Sequence, residues 1–147
     1  MNYLFTSLLI IVLLPMSVSA EPYLCLAEVA GGVSYDRQQK QWKGTSFKTD
    51  GKYIIKKSTY KPDEYKLEIR VFGESEDPGS KPNFLCKEAP DHWLKCKGAD
   101  ATQFFEMSIT NLKFQIVSGS GYLIVKSKVE DLYAGTPYIE IGKCSSL

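Results

Sequence analysis

The chain has a single histidine, His92, and this scarcity limits the chemistry that it can perform. A Ser-His-Asp or Cys-His site would have to use His92. Its chain neighbour Asp91 is badly placed to help, because adjacent side chains rarely orient each other as a triad requires. No Cys-x-x-Cys spacing occurs, so a zinc-type metal site lacks ligands, and no spacing singles out a pair of carboxylates for hydrolysis. We therefore expect no catalytic residue, no metal site and no cofactor, and a protein that is not an enzyme.

The chain also lacks a surplus of charge, since its formal net charge is +1. Bulk nucleic-acid binding requires a strong basic surplus, so we expect no nucleic-acid partner. The charges are unevenly spread, however, because residues 37–70 hold ten basic and four acidic side chains. One interpretation is a set of solvated strand faces. The other is a basic face for an anionic partner such as a polysaccharide or a lipid headgroup.

Long apolar runs are missing after residue 20, and the one at the start of the chain has the pattern of a leader. Leu8–Leu14 is uninterrupted, and Val18–Ala20 supplies small residues for cleavage before Glu21. The apolar run is too short to span a membrane, and no stop-transfer pattern follows it. We expect a signal peptide at 1–20, one domain at 21–147, export to the periplasm or the extracellular space, and no stable membrane insertion after cleavage.

Four cysteines are present, which allow three disulfide pairings that the sequence cannot decide between. Export favours disulfides over zinc. We favour Cys86–Cys96, which closes a short loop containing the turn residues Pro90 and Asp91. The complementary pair, Cys25–Cys144, would tie the first strand to the last.

No segment shows a sustained helical period, and alternation of apolar and polar residues predicts strands instead. Tyr65–Val71 is the clearest example, because its apolar residues alternate with Lys66, Glu68 and Arg70. The other strand signals are Tyr23–Glu28, Val33–Tyr35, Trp42–Phe47, Tyr53–Ile55, Phe105–Ile109, Leu112–Ile116, Tyr122–Val125 and Tyr138–Ile141.

Glycine and polar residues punctuate these signals. Gly31 and Gly32 predict a break between the first two, and the turn Ser118–Gly121 predicts a hairpin between Leu112–Ile116 and Tyr122–Val125. About eight short strands with frequent turns indicate an all-β fold. We expect a single disulfide-linked antiparallel β-barrel, or a closed sandwich, with its first and last strands paired.

The layout of the whole domain resembles a group of small exported bacterial proteins of uncharacterised function. The residues that carry the resemblance are Cys25, Gly31, Gly32, Tyr35, Trp42, Phe47, the central cysteine pair, Gly121, Tyr122 and the closing stretch Thr136–Cys144, which ends in Ile-Gly-Lys-Cys. This resemblance implies a periplasmic or secreted β protein, and it implies no particular activity.

A local motif is similar to one in another family. Ser118-Gly119-Ser120-Gly121-Tyr122 resembles the Ser-Gly-x-x-Tyr motif of the periplasmic inhibitors of c-type lysozyme, which are small disulfide-bonded β-barrels. In that family the motif loop enters the lysozyme cleft. The resemblance implies partner-binding roles for Ser118, Gly119 and Tyr122.

Three functional hypotheses follow. The first is a non-enzymatic exported domain that binds a partner such as a protein or an envelope component. The second is a lysozyme inhibitor that acts through the Ser118–Tyr122 turn. The third is a lipocalin-like carrier with a small apolar ligand inside the barrel.

Overall fold

The part of the chain that the structure describes forms nine β-strands, in most of which buried and exposed residues alternate. A computed structural model describes residues 22–36, 38–74, 77, 79–88, 92–99, 101–119 and 136–147. The predicted leader and Tyr122 lie outside these ranges. The strands are β1 (Tyr23–Asp36), β2 (Gln41–Phe47), β3 (Lys52–Lys57), β4 (Leu67–Val71), β5 (Phe84–Glu88), β6 (Trp93–Gly98), β7 (Gln103–Ser108), β8 (Lys113–Ser118) and β9 (Tyr138–Ser146).

Eight of these strands close into an antiparallel barrel. Strands β3 to β9 are hydrogen-bonded in chain order, and β1 pairs with both β3 and β9 to complete the ring. Strand β2 is additional, because it pairs only with β1. The predicted antiparallel barrel of about eight strands, with its first and last strands paired, is confirmed.

Strand β1 is long enough to pair with three other strands, β2, β3 and β9. Tyr23–Leu26 pairs with β3, whereas Ala30–Asp36 pairs with β2 on the same edge. A register shift between Ala27 and Val29 marks a bulge on the β9 side, and bulges bend a strand and increase its twist. The bend allows one strand to contribute to the barrel and then to continue into the β1–β2 hairpin.

The predicted break at Gly31-Gly32 is wrong, because β1 runs through both residues. A close approach explains Gly32. A Cβ atom at this position would clash with the carbonyl oxygen of Pro137 and would lie 2.8 Å from the Cα of Tyr138. Glycine therefore lets the start of β9 approach β1, and here it does not act as a strand breaker.

A hairpin between β8 and Tyr122–Val125 was also expected, and β8 does not form it. Along Lys113–Ser118 one edge of β8 pairs with β7 and the other with β9. With both edges occupied, this strand has no free edge for a further partner. Tyr122–Val125 lies outside the described residues.

Aromatic rings fill the interior of the barrel. Phe105 stacks on Phe114 with 5.2 Å between ring centroids and an interplanar angle of 7°. Phe84 packs against Phe105, and Tyr53 packs against Phe114, at 5.9 and 6.0 Å. The other members of the buried cluster are Cys25, Ile55, Ile69, Cys86, Leu94, Cys96, Met107, Ile116 and Cys144. An eight-stranded barrel is just wide enough to be filled in this way by its own side chains.

Two disulfides lie in this interior. Cys25 is bonded to Cys144 and Cys86 to Cys96, and each pair joins directly opposite residues of neighbouring strands. The favoured pairing is confirmed. Because disulfides form and persist in oxidising compartments, both bonds point to an oxidising environment.

Within the described ranges, no helix has the length and apolar character needed to cross a membrane.

Candidate binding surfaces

His92 lies in an exposed turn just before β6. Its backbone adopts a left-handed conformation, with φ at 58°, and its carbonyl oxygen accepts a hydrogen bond from the Ile109 N–H at 2.8 Å. Among the described residues its side chain forms no hydrogen bond with a serine or threonine hydroxyl, and all four cysteines are in disulfides. The position is that of a turn residue. Within the same part of the chain, no group of three or more His, Cys, Asp and Glu side chains could hold a metal ion.

Ser118 and Gly119 lie at the end of β8, beside an apolar groove on the outer face of the barrel. The Ser118 side chain is buried, and the N–H of exposed Gly119 donates to the Thr102 carbonyl oxygen at 3.0 Å. Of the three predicted partner-binding residues, Ser118 and Gly119 border the groove. Tyr122 lies outside the described residues.

Strands β1, β8 and β9 form the walls of this groove. Val29 stands opposite Ile141 and Gly31 opposite Ile139, so the missing side chain of Gly31 leaves depth beside the exposed side chain of Ile139. Val29 is 58% exposed and Ile139 is 52% exposed. The lining residues are Val29, Gly31, Gly32, Val33, Val117, Ser118, Gly119, Pro137, Tyr138, Ile139 and Ile141, none of which is charged. Contiguous exposed apolar residues typically mark interaction surfaces.

A second groove, polar in character, lies on the outer faces of β7, β8 and β9. Three of the four charged side chains among its described lining residues have partners, since Lys143 forms a 3.2 Å salt bridge with Glu28 and Gln115 donates to Glu106 at 2.8 Å. This groove therefore offers fewer free charges than its composition indicates.

Glu140 is a buried carboxylate that points into the barrel from β9. The Tyr53 hydroxyl donates to its Oε1 at 3.0 Å, and the absence of a side chain at Gly51 gives both groups room. Burial raises the pKa of Glu140; the hydrogen bond from Tyr53 opposes this effect, and the negative charge of Asp50 adds to it. Burial and the charge of Glu140 raise the pKa of Tyr53 far above its usual range. This hydrogen bond links β3 to β9 inside the barrel.

Glu68 is fully buried although it lies on the outer face of β4. Its Oε2 accepts hydrogen bonds from the N–H groups of Thr59 and Tyr60 at 3.0 and 3.2 Å, and Arg70 Nε donates to its Oε1 at 2.9 Å. Arg70 also donates to both oxygens of Ser80, each at 2.8 Å. Burial alone would raise the pKa of Glu68, but the hydrogen bonds from Arg70, Thr59 and Tyr60 outweigh it and hold the pKa below its usual value. This network anchors the β3–β4 and β4–β5 loops.

The basic surplus of residues 37–70 is partly neutralised in the folded chain. Four of its basic side chains lie beside carboxylates: Lys43 by Asp36, Lys48 by Asp50, and both Lys56 and Arg70 by Glu68. These four residues therefore do not form a free basic face.

An unpaired basic surface lies elsewhere, on the outer faces of β5 and β6. Lys87, Lys95 and Lys97 are exposed because their neighbours Cys86, Leu94 and Cys96 face the core. The sequence contained the signal for this surface in Cys-Lys on β5 and Lys-Cys-Lys on β6. Once both cysteines are known to face inward, strand alternation places all three lysines outside.

Searches of protein-family models, of curated proteins and of solved structures find no significant match to this chain.

Proposed function

We propose that the protein is an exported, non-enzymatic binding protein that contacts a protein partner through the apolar groove of β1, β8 and β9. The two disulfides support export to the periplasm or the extracellular space, where such bonds persist. The observation that carries the proposal is the row of exposed aliphatic side chains beside Ser118 and Gly119.

The packing of the barrel supports binding on its outside. The rings of Phe84, Phe105, Phe114 and Tyr53 occupy the space in which a lipocalin-like carrier would hold its ligand. The described core therefore gives no support to the carrier hypothesis. The described residues of the groove include no charged side chain that could pair with a headgroup or a polyanion, so their chemistry fits an apolar side chain of another protein.

A charge introduced into the groove tests the proposal. We expect Ile139→Asp to abolish retention of the protein's partner from an envelope extract, because a buried, unpaired carboxylate at an interface is costly. The matched control is Ile109→Asp, which changes an apolar residue of similar exposure, 43% against 52%, in the β7–β8 turn. The control should retain the partner. Equal retention of one partner by both variants would remove the groove as the binding surface.

A lysozyme of the c type is one specific candidate for the partner. The observation that favours it is that Ser118 and Gly119, the first residues of the inhibitor-like motif, lie at the groove edge. A lysis assay with purified lysozyme and an excess of this protein decides the question. Inhibition by the native protein and by Ile109→Asp, but not by Ile139→Asp, is expected of an inhibitor. Undiminished lysis at micromolar excess of the native protein eliminates this partner.

A further inference from the structure

Three lysines stand side by side across the outer face of the β4–β5–β6 sheet, one just before β4, one on β5 and one on β6, and a fourth follows on β6. Lys87 on β5 is directly opposite Lys95 on β6. Lys66 precedes β4, and its N–H donates to the Cys86 carbonyl oxygen at 3.2 Å, which places it beside Lys87. Lys97 is two residues along β6 from Lys95. We call these four residues the lysine row.

The lysine row is not neutralised by the described residues around it. None of the four forms a salt bridge with a described carboxylate, although Lys87 lies 5.7 Å from the centre of the Tyr65 ring. Glu106 on β7 stands directly opposite Lys95 and also accepts a hydrogen bond from Gln115, but its single negative charge does not balance the four lysines. Like charges directly opposite each other destabilise a sheet. An anionic ligand would relieve this repulsion.

Exposed aromatic side chains accompany the lysines on the same face. Trp93 is two residues from Lys95 on β6 and 46% exposed, and Phe104 on β7 stands opposite Lys97 and is 43% exposed. Aromatic faces pack against apolar surfaces, and the C–H faces of pyranose rings are such surfaces. The same face thus offers cations for acidic groups and flat apolar contacts for sugar rings.

We propose that the lysine row, with Trp93 and Phe104, binds a linear anionic polysaccharide. Neighbouring strands lie about 4.8 Å apart and alternate residues of one strand about 6.6 Å apart, so a linear chain with closely spaced acidic groups would meet several of the cations at once. The site is separate from the apolar groove and does not depend on it. A nucleic acid is disfavoured by the net charge of +1. An anionic bilayer is disfavoured because the lysines lie between the two aromatic residues, which do not form one insertable apolar cluster.

The proposal predicts that removing the central lysine pair weakens glycan binding. The probes are alginate, which carries carboxylates, and heparin, which carries sulfates, with neutral dextran as the blank. We expect Lys87→Gln with Lys95→Gln to weaken binding of the disulfide-bonded protein to alginate or heparin by about tenfold or more. The salt dependence of binding should become shallower, since fewer counterions are exchanged. Trp93→Ala should weaken binding without changing the salt dependence.

A second pair of lysines provides the matched control. Lys113 on β8 stands directly opposite Lys143 on β9, and Lys143 is paired with Glu28. Lys113→Gln with Lys143→Gln removes the same charge and should leave glycan affinity within about twofold. Thermal unfolding of both double variants shows whether either loss reflects misfolding.

Each result of this experiment decides the proposal. Equal weakening by the two double variants would overturn it, because binding would then follow net charge alone. Failure of the native protein to bind either glycan would overturn it as well. Binding to phosphatidylglycerol vesicles or to duplex DNA, without binding to the glycans, would assign the lysine row to a lipid headgroup or a nucleic acid instead. The results for partner retention by Ile139→Asp and Ile109→Asp do not affect these outcomes for glycan binding.

Discussion

Glu68 connects two loops to the barrel wall, and the cost of losing its charge can be measured. Hydrogen bonds from four residues converge on a carboxylate that has no exposed surface, and one of the donors, Arg70, is itself only 12% exposed at its side chain. A glutamine at this position would retain one acceptor oxygen but would leave the guanidinium without its anion. The position therefore tests whether the network stabilises the fold.

Glu68→Gln is expected to lower the free energy of unfolding by about 3 kcal/mol at neutral pH, because it breaks a buried ion pair. The folded-state pKa of Glu68 is lowered, so its contribution is present above the unfolded pKa of about 4.3 and is lost as the pH falls through the folded value. Urea unfolding should show that the difference in the free energy of unfolding between the native protein and the variant becomes smaller in acid. The control Glu74→Gln, in the exposed part of the β4–β5 loop, should change little at any pH. A difference in unfolding free energy that becomes larger in acid would contradict the lowered folded-state pKa of Glu68.

At the scale of strands, the β1–β9 pairing depends on a glycine. A Cβ atom at Gly142 would clash with the Leu26 carbonyl oxygen, would lie 2.7 Å from the Phe114 ring and would come within 2.9 Å of the Cα of Ala27. Backbone atoms of β1 cannot yield without disturbing the ladder. The strand that closes the barrel therefore has little tolerance at this position.

Gly142→Ala is expected to destabilise the fold by about 2 kcal/mol, since overpacking at a closed contact forces backbone shifts. Gly44→Ala on β2 is the matched control, because a Cβ atom there has nothing within 4 Å. The control should lie within about 0.5 kcal/mol of the native protein. Thermal or urea unfolding of the two variants makes the comparison, and an equal loss for both would show that alanine is disfavoured in these strands for another reason.

Most strands could be predicted from the sequence, but β5 and β6 were not among them, and strand partners could be predicted only in part. Alternation located Leu67–Val71 and Lys113–Ser118 closely, because each has one face on the core. The partner of β8 was missed, since a Ser-Gly turn favours the next strand along the chain and the pattern of β8 contains no information about β9. Continuity of β1 through Gly31-Gly32 was missed for a similar reason. Gly32 is needed because Pro137, more than a hundred residues away in the chain, approaches it closely.

At the scale of the whole molecule, the two disulfides differ in how much of the chain they enclose. Cys25–Cys144 spans 119 residues and Cys86–Cys96 spans 10. On the chain-entropy model the longer loop stabilises more, by about 5 kcal/mol against about 3 kcal/mol. Replacing each pair by alanines should reproduce this order in urea unfolding experiments under oxidising conditions. The order would be wrong if loss of the Cys86–Cys96 bond cost as much as loss of Cys25–Cys144.

The candidate surfaces show the same limit of sequence reasoning. The motif residues Ser118 and Gly119 pointed to the right region, but the aliphatic walls of the groove come from β1 and β9 as well. The count of basic residues pointed to 37–70, where the folded chain pairs several of them with carboxylates. A surface is a product of strand order, so the lysine row becomes visible only when β4, β5 and β6 are placed side by side.

The pairing of β1 with β9 also sets an order of events in time. Residues 23–32 find one of their two neighbours only in residues 138–146, so no growing or partly delivered chain can close the barrel. Until that last strand arrives, one long edge of β1 stays open to other chains, and contacts this distant in sequence form slowly. The barrel therefore cannot close until nearly the whole chain is in one compartment. A chain that is passing through a narrow channel can stay unfolded in this way.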